Sequence, residues 1–146
     1  MVGEGQLPNA VRQHEHVVID TQARPAADDL EDLAEGCDLL VIPTTPDALS
    51  LEGVFMTMRA LDRLGGSASY KTLLTNIPPH PSKEGVEARY LLTEENIPVF
   101  EGQISRLVAF RKAALGGLPV YEVNDRQAKR GWEEYRVIGE EILNTP

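Results

Sequence analysis

The stretch His16-Val-Val-Ile-Asp-Thr-Gln-Ala-Arg-Pro25 holds three β-branched apolar residues in an unbroken run that ends in a carboxylate. A continuous Val/Ile run is typical of a strand that is buried on both faces, as in a parallel sheet flanked by helices. Asp20 then follows the carboxyl end of that strand, where open α/β sheets bind their ligands. Taken alone, such a pattern more often means that the aspartate caps the next helix. The stretch therefore predicts a core strand and a candidate binding carboxylate.

Strand-like and helix-like patterns alternate along the chain that follows. The expected strands cover residues 17–19, 38–43, 70–76 and 97–100, and the expected helices cover residues 26–36, 48–64, 83–95, 105–115 and 126–143. Alternation of this kind predicts a mostly parallel sheet with right-handed crossovers, and hence a three-layer α/β domain with helices on both faces. Residues 1–15 show no clear period, so we expect a lead-in segment before a single domain over residues 16–146.

Apolar residues at three- and four-residue steps predict the core-facing sides of three helices. These residues are Leu51, Val54, Phe55, Met58, Leu61 and Leu64 in the second helix, Val86, Tyr90 and Leu91 in the third, and Trp132, Tyr135, Ile138 and Ile142 in the last. Asp47 or Ser50 is expected to cap the second helix, because short polar side chains satisfy its first amides.

The composition narrows the class of protein. A chain of 146 residues with 42% apolar and 25% charged residues fits one globular domain with its own core. The net charge of −9 argues against a protein that coats nucleic acid through its overall field, although a local basic surface remains compatible with it. The single cysteine, Cys37, leaves no internal disulfide. With no leader-like start and no apolar run of membrane-spanning length, we expect a soluble cytoplasmic domain.

Gly65-Gly-Ser-Ala-Ser-Tyr-Lys-Thr72 superficially resembles a phosphate-binding loop. However, Tyr70 occupies the place of the second glycine, where the backbone must approach a phosphate. The segment also leads from a helix into a strand, which is the reverse of the context that the loop requires. We interpret it as an ordinary turn.

Two further segments, taken with the opening stretch, indicate a family. Cys37-Asp-Leu-Leu-Val-Ile-Pro-Thr-Thr-Pro-Asp-Ala-Leu-Ser-Leu-Glu-Gly53 resembles the Ala-Asp, Ile-Pro-x-x-Pro and Ser-Leu-x-Gly pattern of the ParA/MinD ATPases, which partition plasmids and chromosomes or position division sites. The resemblance continues through Leu73-Leu-Thr-Asn76 and Val99 to Ile104, and it ends in Ala113-Ala-Leu-Gly-Gly-Leu-Pro-Val120. It covers almost everything from His16 to Leu143, and it implies a P-loop NTPase-like fold.

The resemblance implies ATP and Mg²⁺ as cofactors and assigns roles to several positions. Asp20 matches the switch aspartate that holds a magnesium-bound water, and Thr21 matches its neighbour in the switch turn. Asn76 matches the strand-end asparagine that reads adenine, and Pro78 and Ile104 lie in the segments that surround the base. These roles suit the residue types, since carboxylates orient magnesium waters and an amide offers a donor and an acceptor to a base.

The sequence departs from the family in two places. The Asp-Thr-Pro-Pro switch of the family is Asp20-Thr-Gln-Ala-Arg-Pro25 here, which adds the cation Arg24. The amino-terminal segment that carries the lysine-rich phosphate loop in the family is absent from this sequence. We therefore expect an incomplete sheet with an exposed edge that invites pairing with another chain, and little hydrolysis by the chain alone.

The family resemblance further implies non-specific DNA, a ParB-like partner protein and a homodimer. No acidic residue stands between Glu101 and Glu122, where Arg106, Arg111 and Lys112 fall within seven positions, and Lys83 and Arg89 lie on the preceding helix. Local cations of this kind are sufficient for phosphate contacts. A solvated helix face or a base-binding segment explains the same residues equally well. Acidic residues in the last helix argue against a membrane anchor.

Two other functions remain open at this point. One is a non-catalytic interaction module that pairs with a complete ParA-type subunit through the exposed sheet edge. The other is a phospho-acceptor domain with Asp20 as the acceptor, which is disfavoured because Asp28 and Asp29 lie in the wrong place for the acidic pair that such a domain needs.

Overall fold

The computed structural model describes residues 14–21, 27–65 and 69–145. This part of the chain forms five α-helices and a small parallel sheet of two strands. The helices are α1 (Ala27–Gly36), α2 (Ala48–Arg63), α3 (Glu84–Glu94), α4 (Val108–Gly116) and α5 (Ala128–Leu143), and the strands are β1 (Leu40–Thr44) and β2 (Tyr70–Leu74). The alternation of strands and helices that the sequence predicts is therefore present from α1 to α3, in a mixed α/β arrangement.

The two strands run parallel, with α2 as the crossover between them. Leu40 lies opposite Tyr70 and Thr44 lies opposite Leu74. The chain after α3 follows the other edge of β2, where the amide of Thr72 donates to the carbonyl of Pro98 (2.8 Å) and its carbonyl accepts from the amide of Phe100 (3.0 Å). The strand expected at residues 97–100 is thus reduced to a single parallel bridge between Thr72 and Val99.

The strand expected at residues 17–19 is wrong for the described part of the chain. Val17, Val18 and Ile19 have no strand assignment, and Val18 is 95% exposed. An apolar run of this kind is buried only when strands pair with it on both sides. The described residues supply no such neighbour, since their sheet contains only β1 and β2. The expected three-layer sheet is therefore not formed by them.

The main core lies between the sheet, α2 and α3, and it contains most of the apolar side of α2 that the sequence predicts. Leu51, Val54, Met58 and Leu61 are buried there, whereas Phe55 is half-buried and Leu64 is exposed at the end of the helix. Two smaller clusters hold α4 and α5. One contains Leu107, Ala109, Ala113, Val120 and Ala128, and the other contains Leu73, Phe100, Ile104 and Ile138.

The apolar side predicted for α3 is wrong. Val86 and Tyr90 are 74% and 66% exposed, Leu91 is also exposed, and Gly85, Ala88 and Leu92 face the core instead. The small residues let α3 pack close to the chain after β2: a Cβ at Gly85 would lie 2.7 Å from Cγ2 of Ile77. Close approach of the backbone therefore decides which side of this helix is buried.

The prediction for α5 is partly confirmed. Ile138 is buried and Ile142 is half-buried, but Trp132 and Tyr135 are about half exposed. Their rings pack edge to face, Trp132 on Tyr121 at 4.9 Å between centroids and Tyr135 on Phe110 at 5.7 Å. None of the helices in the described ranges has the length and apolar character that crossing a membrane requires.

Candidate functional site

The candidate site lies where the parallel segments end. The carboxyl ends of β1 and β2 meet at one edge of the sheet, as parallel strands require. The segment from Ile104 to Arg106 joins this edge through the amide of Ile77, which donates to the carbonyl of Ile104 (3.0 Å), and the amide of Arg106, which donates to the carbonyl of Ile77 (2.8 Å). Because Ser105 is held in this bridge, α4 begins at Val108 and not at residue 105 as expected.

Asn76 is the central side chain of this edge. Its φ of 54° is in the left-handed region, which asparagine tolerates better than most residues. The side chain is exposed, and its Oδ1 accepts a hydrogen bond of 3.1 Å from Nε of Arg106. The structure thus brings together two residues that the sequence assigned to different tasks, base reading for Asn76 and DNA contact for Arg106.

The arrangement leaves Asn76 able to read the edge of a heterocyclic base. With Oδ1 oriented by Arg106, the Nδ2 amino group keeps its two donors for an outside acceptor. Pro78 is half-buried two residues further on. Ile104 is 4% exposed and belongs to the core cluster of Leu73, Phe100 and Ile138. Its side chain therefore faces the core, and only its backbone contributes to this edge.

The end of β1 holds a second polar group around Asp47. The carboxylate accepts from the amide of Ser50 (3.0 Å), from the Ser50 hydroxyl (2.8 Å) and from the Thr45 hydroxyl. The hydrogen bond from Thr45, followed by those from Ser50, lowers the pKa of Asp47 to about 2. Asp47 is therefore the N-cap of α2, as the sequence predicted, and it is anionic at physiological pH.

Asp20 and Thr21 are exposed and make no hydrogen bond or ion pair within the described ranges. Arg24, the extra cation of the switch turn, lies outside the described residues. Over the ranges that the structure covers, no group of three or more His, Cys, Asp and Glu is arranged to hold a metal ion. The edge around Asn76 presents amide donors to the outside, and its role in reading a base stays a prediction. The magnesium role of Asp20 stays a prediction.

The five cations predicted to contact DNA have different surroundings. The Arg89 guanidinium donates hydrogen bonds to the carbonyls of Phe100 (2.6 Å) and Glu101 (3.3 Å). It thereby stabilises the loop after Val99. Lys112 pairs with Asp125 at 2.8 Å, and this hydrogen bond lowers the pKa of the Asp125 carboxyl. Arg106 is bound to Asn76.

The remaining two of these cations, Arg111 and Lys83, are exposed. Neither has a side-chain partner within the ranges that the structure covers, so both are available to an outside anion. The DNA contact of the whole set stays a prediction.

A half-buried ion pair that sequence reasoning missed connects the sheet to α5. Lys71 of β2 donates to Glu141 at 2.6 Å and lies 5.0 Å above the centre of the Phe100 ring. Glu141 also accepts from the amides of Glu101 (3.0 Å) and Gly102 (3.2 Å). Burial disfavours the charged form of Glu141, but the bonds from Lys71 and the two amides outweigh it and lower its pKa.

Comparison with known proteins finds one relative of this chain. No protein-family model matches the sequence. The chain is similar to Maintenance of carboxysome distribution protein A of Gloeobacter kilaueensis, with 36% identity over 129 residues. The match covers 86% of this chain and 58% of that protein, so the chain spans a little over half the length of this curated relative. The chain is thus related to a protein whose name describes the distribution of carboxysomes. This similarity agrees with the family resemblance carried by residues 16–25, 37–53 and 73–76.

Proposed function

We propose that the protein acts as a ParA-like positioning and partitioning ATPase. In this proposal it binds ATP with Mg²⁺, dimerises around the nucleotide and associates with non-specific DNA, while a ParB-like protein stimulates hydrolysis. The observation that carries the proposal is the Asn76–Arg106 edge at the carboxyl end of β2, which supports base recognition. The similarity to a distribution protein supports the same class of function.

Within this proposal the described residues supply only part of the ATP site. In this proposal Asp20 orients a magnesium-bound water, and a second chain supplies the phosphate loop, which no motif of this sequence provides. The chain of 146 residues alone should therefore bind adenine nucleotides through the base and hydrolyse them little or not at all.

Calorimetric titration tests the base-binding part. We expect AMP and ATP to bind the chain with similar, weak affinities that change little with Mg²⁺, since the phosphates find no cradle among the described residues. Asn76→Ala should abolish the heat of binding, whereas Asn96→Ala, at the other non-glycine position with a positive φ in the described ranges, should not. Equal heats for the Asn76 variant, or no heat with any adenine nucleotide, would contradict the proposal.

An electrophoretic shift with duplex DNA tests the proposed contact with DNA. We expect weak binding that falls steeply between about 50 and 200 mM salt, because cations on the protein displace condensed counterions. Arg111→Ala combined with Lys83→Ala should weaken the shift, because neither cation has an ion-pair partner within the described ranges. Arg130→Ala combined with Arg136→Ala is the matched control, since Glu134 engages the first guanidinium, and Glu133 and Glu140 engage the second. A shift insensitive to salt, or equal loss in the control, would count against DNA contact by these residues.

A non-catalytic interaction module is the second candidate, and the free edge of β1 favours it. In the parallel ladder with β2, alternate residues of β1 direct their backbone groups to opposite sides. The N–H and C=O of Val41 therefore point away from β2, where no further strand of the described residues lies. An edge of this kind takes a strand from another chain.

Replacing Val41 with N-methylvaline in a semisynthetic chain separates this module from the ATPase. The change removes one edge donor and should abolish co-purification with a complete ParA-type subunit, while AMP binding stays as in the parent chain. Unchanged co-purification would exclude pairing through this edge.

A further inference from the structure

The hydrogen bond between Asn76 and Arg106 determines which polar groups this edge of the sheet offers to a ligand. A guanidinium carries donors and no acceptor, so the carboxamide atom that faces Nε of Arg106 at 3.1 Å is the oxygen, Oδ1. The second lone pair of Oδ1 remains, but the positive charge beside it disfavours the approach of another donor. Asn76 therefore offers mainly the donors of Nδ2, whereas a free asparagine offers donors and an acceptor.

Arg106 adds donors of its own to the same edge. Its side chain is exposed, and within the described ranges only Nε of its guanidinium has a hydrogen-bond partner. The N–H groups of the two terminal nitrogens have no acceptor in the part of the chain that the structure covers, and no carboxylate there forms an ion pair with Arg106. Together the two side chains make a positively charged array of donors.

Contacts on both sides of Arg106 fix this arrangement. The amide of Arg106 donates to the carbonyl of Ile77 (2.8 Å), next to Asn76 in the chain. The preceding residue, Ser105, is held by α5: Glu134 accepts from its amide (2.7 Å) and its hydroxyl (2.8 Å), and Arg130 donates to that hydroxyl (2.8 Å). The backbone of Arg106 is thus anchored beside Asn76, and its guanidinium is within reach of the carboxamide.

The two purine bases differ in the groups that such an array can contact. Adenine carries the acceptor N7 beside an amino group at N6, which donates, whereas guanine carries two adjacent acceptors, N7 and O6. A free asparagine carboxamide pairs with adenine through both of its groups, and a guanidinium pairs with guanine in the same bidentate way. An edge that contains mainly donors therefore makes two favourable contacts with guanine and one with adenine.

We infer that Arg106 determines the base selectivity of this edge, which takes guanine nucleotides at least as tightly as adenine nucleotides. Arg106 acts on adenine through the carboxamide of Asn76, and it acts on guanine as a direct donor to O6 or N7. The inference rests on the proposed function, since a base must bind at Asn76, and it widens the nucleotide class from ATP to purine nucleotides.

Calorimetric titration of the chain with GMP, AMP and 7-deaza-GMP tests this selectivity. We expect GMP to bind at least as tightly as AMP. The 7-deaza nucleotide lacks the N7 acceptor and should bind about tenfold more weakly than GMP, because one of the two contacts is lost.

Three variants show whether Arg106 is the cause. Arg106→Ala frees Oδ1 to accept from the adenine amino group, so the ratio of GMP affinity to AMP affinity should fall about tenfold. Arg106→Lys keeps a positively charged donor and should stay near the parent ratio. Arg59→Ala, which removes an exposed arginine of α2, is the matched control and should leave the ratio unchanged. A general loss of structure would weaken both nucleotides and would not move their ratio.

The outcomes separate this inference from the proposed function. If AMP bound at least about tenfold more tightly than GMP, or if Arg106→Ala kept the parent ratio, the inference would be wrong and adenine binding at this edge would stand. If neither AMP nor GMP bound, both the inference and the base-binding part of the proposed function would fall.

Discussion

Asn76 combines a left-handed backbone with an exposed carboxamide, and the two properties are separable by mutation. A residue with a Cβ pays a conformational cost at a φ of 54° that glycine does not. We expect Asn76→Ala to lower the free energy of unfolding by about 1 kcal/mol relative to Asn76→Gly. Urea denaturation of both variants measures the difference.

Asn96, with a φ of 57°, provides the control for that comparison. The same Ala and Gly pair at position 96 should differ by a similar amount, while only the variants at position 76 lose the hydrogen bond from Arg106. If alanine and glycine were equivalent at position 76, the left-handed conformation would not be required there.

Glu141 gives the protein an acid-sensitive link between α5 and the sheet. Its folded-state pKa lies below the ordinary value, so its stabilising contribution is present above the unfolded-state pKa and is lost as the pH falls through the folded-state value. Glu141→Gln should destabilise the protein by about 1–2 kcal/mol near pH 7, because one ion pair and two amide bonds are weakened. The deficit should shrink below about pH 4.

Urea unfolding of the parent and the variant at both pH values measures this effect. Glu140→Gln is the neighbouring control, since the Glu140 carboxylate is exposed and pairs with the equally exposed guanidinium of Arg136. It should show little change at either pH, because exposed ion pairs contribute little to stability. A deficit in Glu141→Gln that stayed constant with pH would mean that the ionised carboxylate is not the source of the stability.

At the scale of single residues, the sequence predicts local contacts and misses distant ones. The Asp47 cap was foreseeable, because the cap and the amide it satisfies are three residues apart. The bond between Asn76 and Arg106 joins positions thirty residues apart, and the pair of Lys71 and Glu141 joins positions seventy apart. No local pattern encodes either of them.

Among the helices, α3 shows where periodicity fails. The apolar period indicated Val86, Tyr90 and Leu91 as its inner side, yet the helix buries Gly85, Ala88 and Leu92. Hydrophobic periodicity detects large apolar side chains. The close packing of α3 depends instead on the small size of Gly85 and Ala88. In α2 the large apolar residues and the inner side coincide, and there the prediction is confirmed for Leu51, Val54, Met58 and Leu61.

A pair of glycine replacements tests this interpretation of the two helices. Gly53→Ala in α2 should stabilise the protein by about 0.5–1 kcal/mol, since alanine favours a helix and a Cβ there meets nothing within 4 Å. Gly85→Ala in α3 should destabilise it, because the new Cβ would lie 2.7 Å from Cγ2 of Ile77. Thermal unfolding of both variants measures the signs, and a stabilised Gly85→Ala would show that α3 does not pack this closely.

For the whole molecule, the order of elements was predictable and the layering was not. Strands at residues 40–44 and 70–74 and helices between and after them follow from local patterns. Whether an apolar run such as residues 17–19 becomes a buried strand depends on a neighbouring strand, and a one-dimensional pattern does not carry that information. The position of Asn76 at the end of a strand was predictable, because β2 follows from a local pattern. The magnesium and phosphate part of the site depends on how residues 17–20 pair with other segments, and the described residues do not form it.

A substitution at Val18 tests whether residues 17–19 contribute to the folded core. Val18→Asp should change the free energy of unfolding by less than about 0.5 kcal/mol, because the side chain is already in water. Leu74→Ala, at a fully buried position of β2, should cost about 2–5 kcal/mol and serves as the comparison. A large cost at position 18 would mean that the run is buried in solution.

Pro43 limits what the free edge of β1 can do. Pro43 stands two residues after Val41, on the side of β1 that faces away from β2. Its missing N–H therefore removes no hydrogen bond to β2. On the free side of β1, Val41 offers both an N–H and a carbonyl, whereas Pro43 offers only its carbonyl as a hydrogen-bond acceptor. An incoming strand is held by one donor and by carbonyls, which fixes its register. A proline at a sheet edge opposes the stacking of identical chains edge to edge, so this edge is a poor template for aggregation.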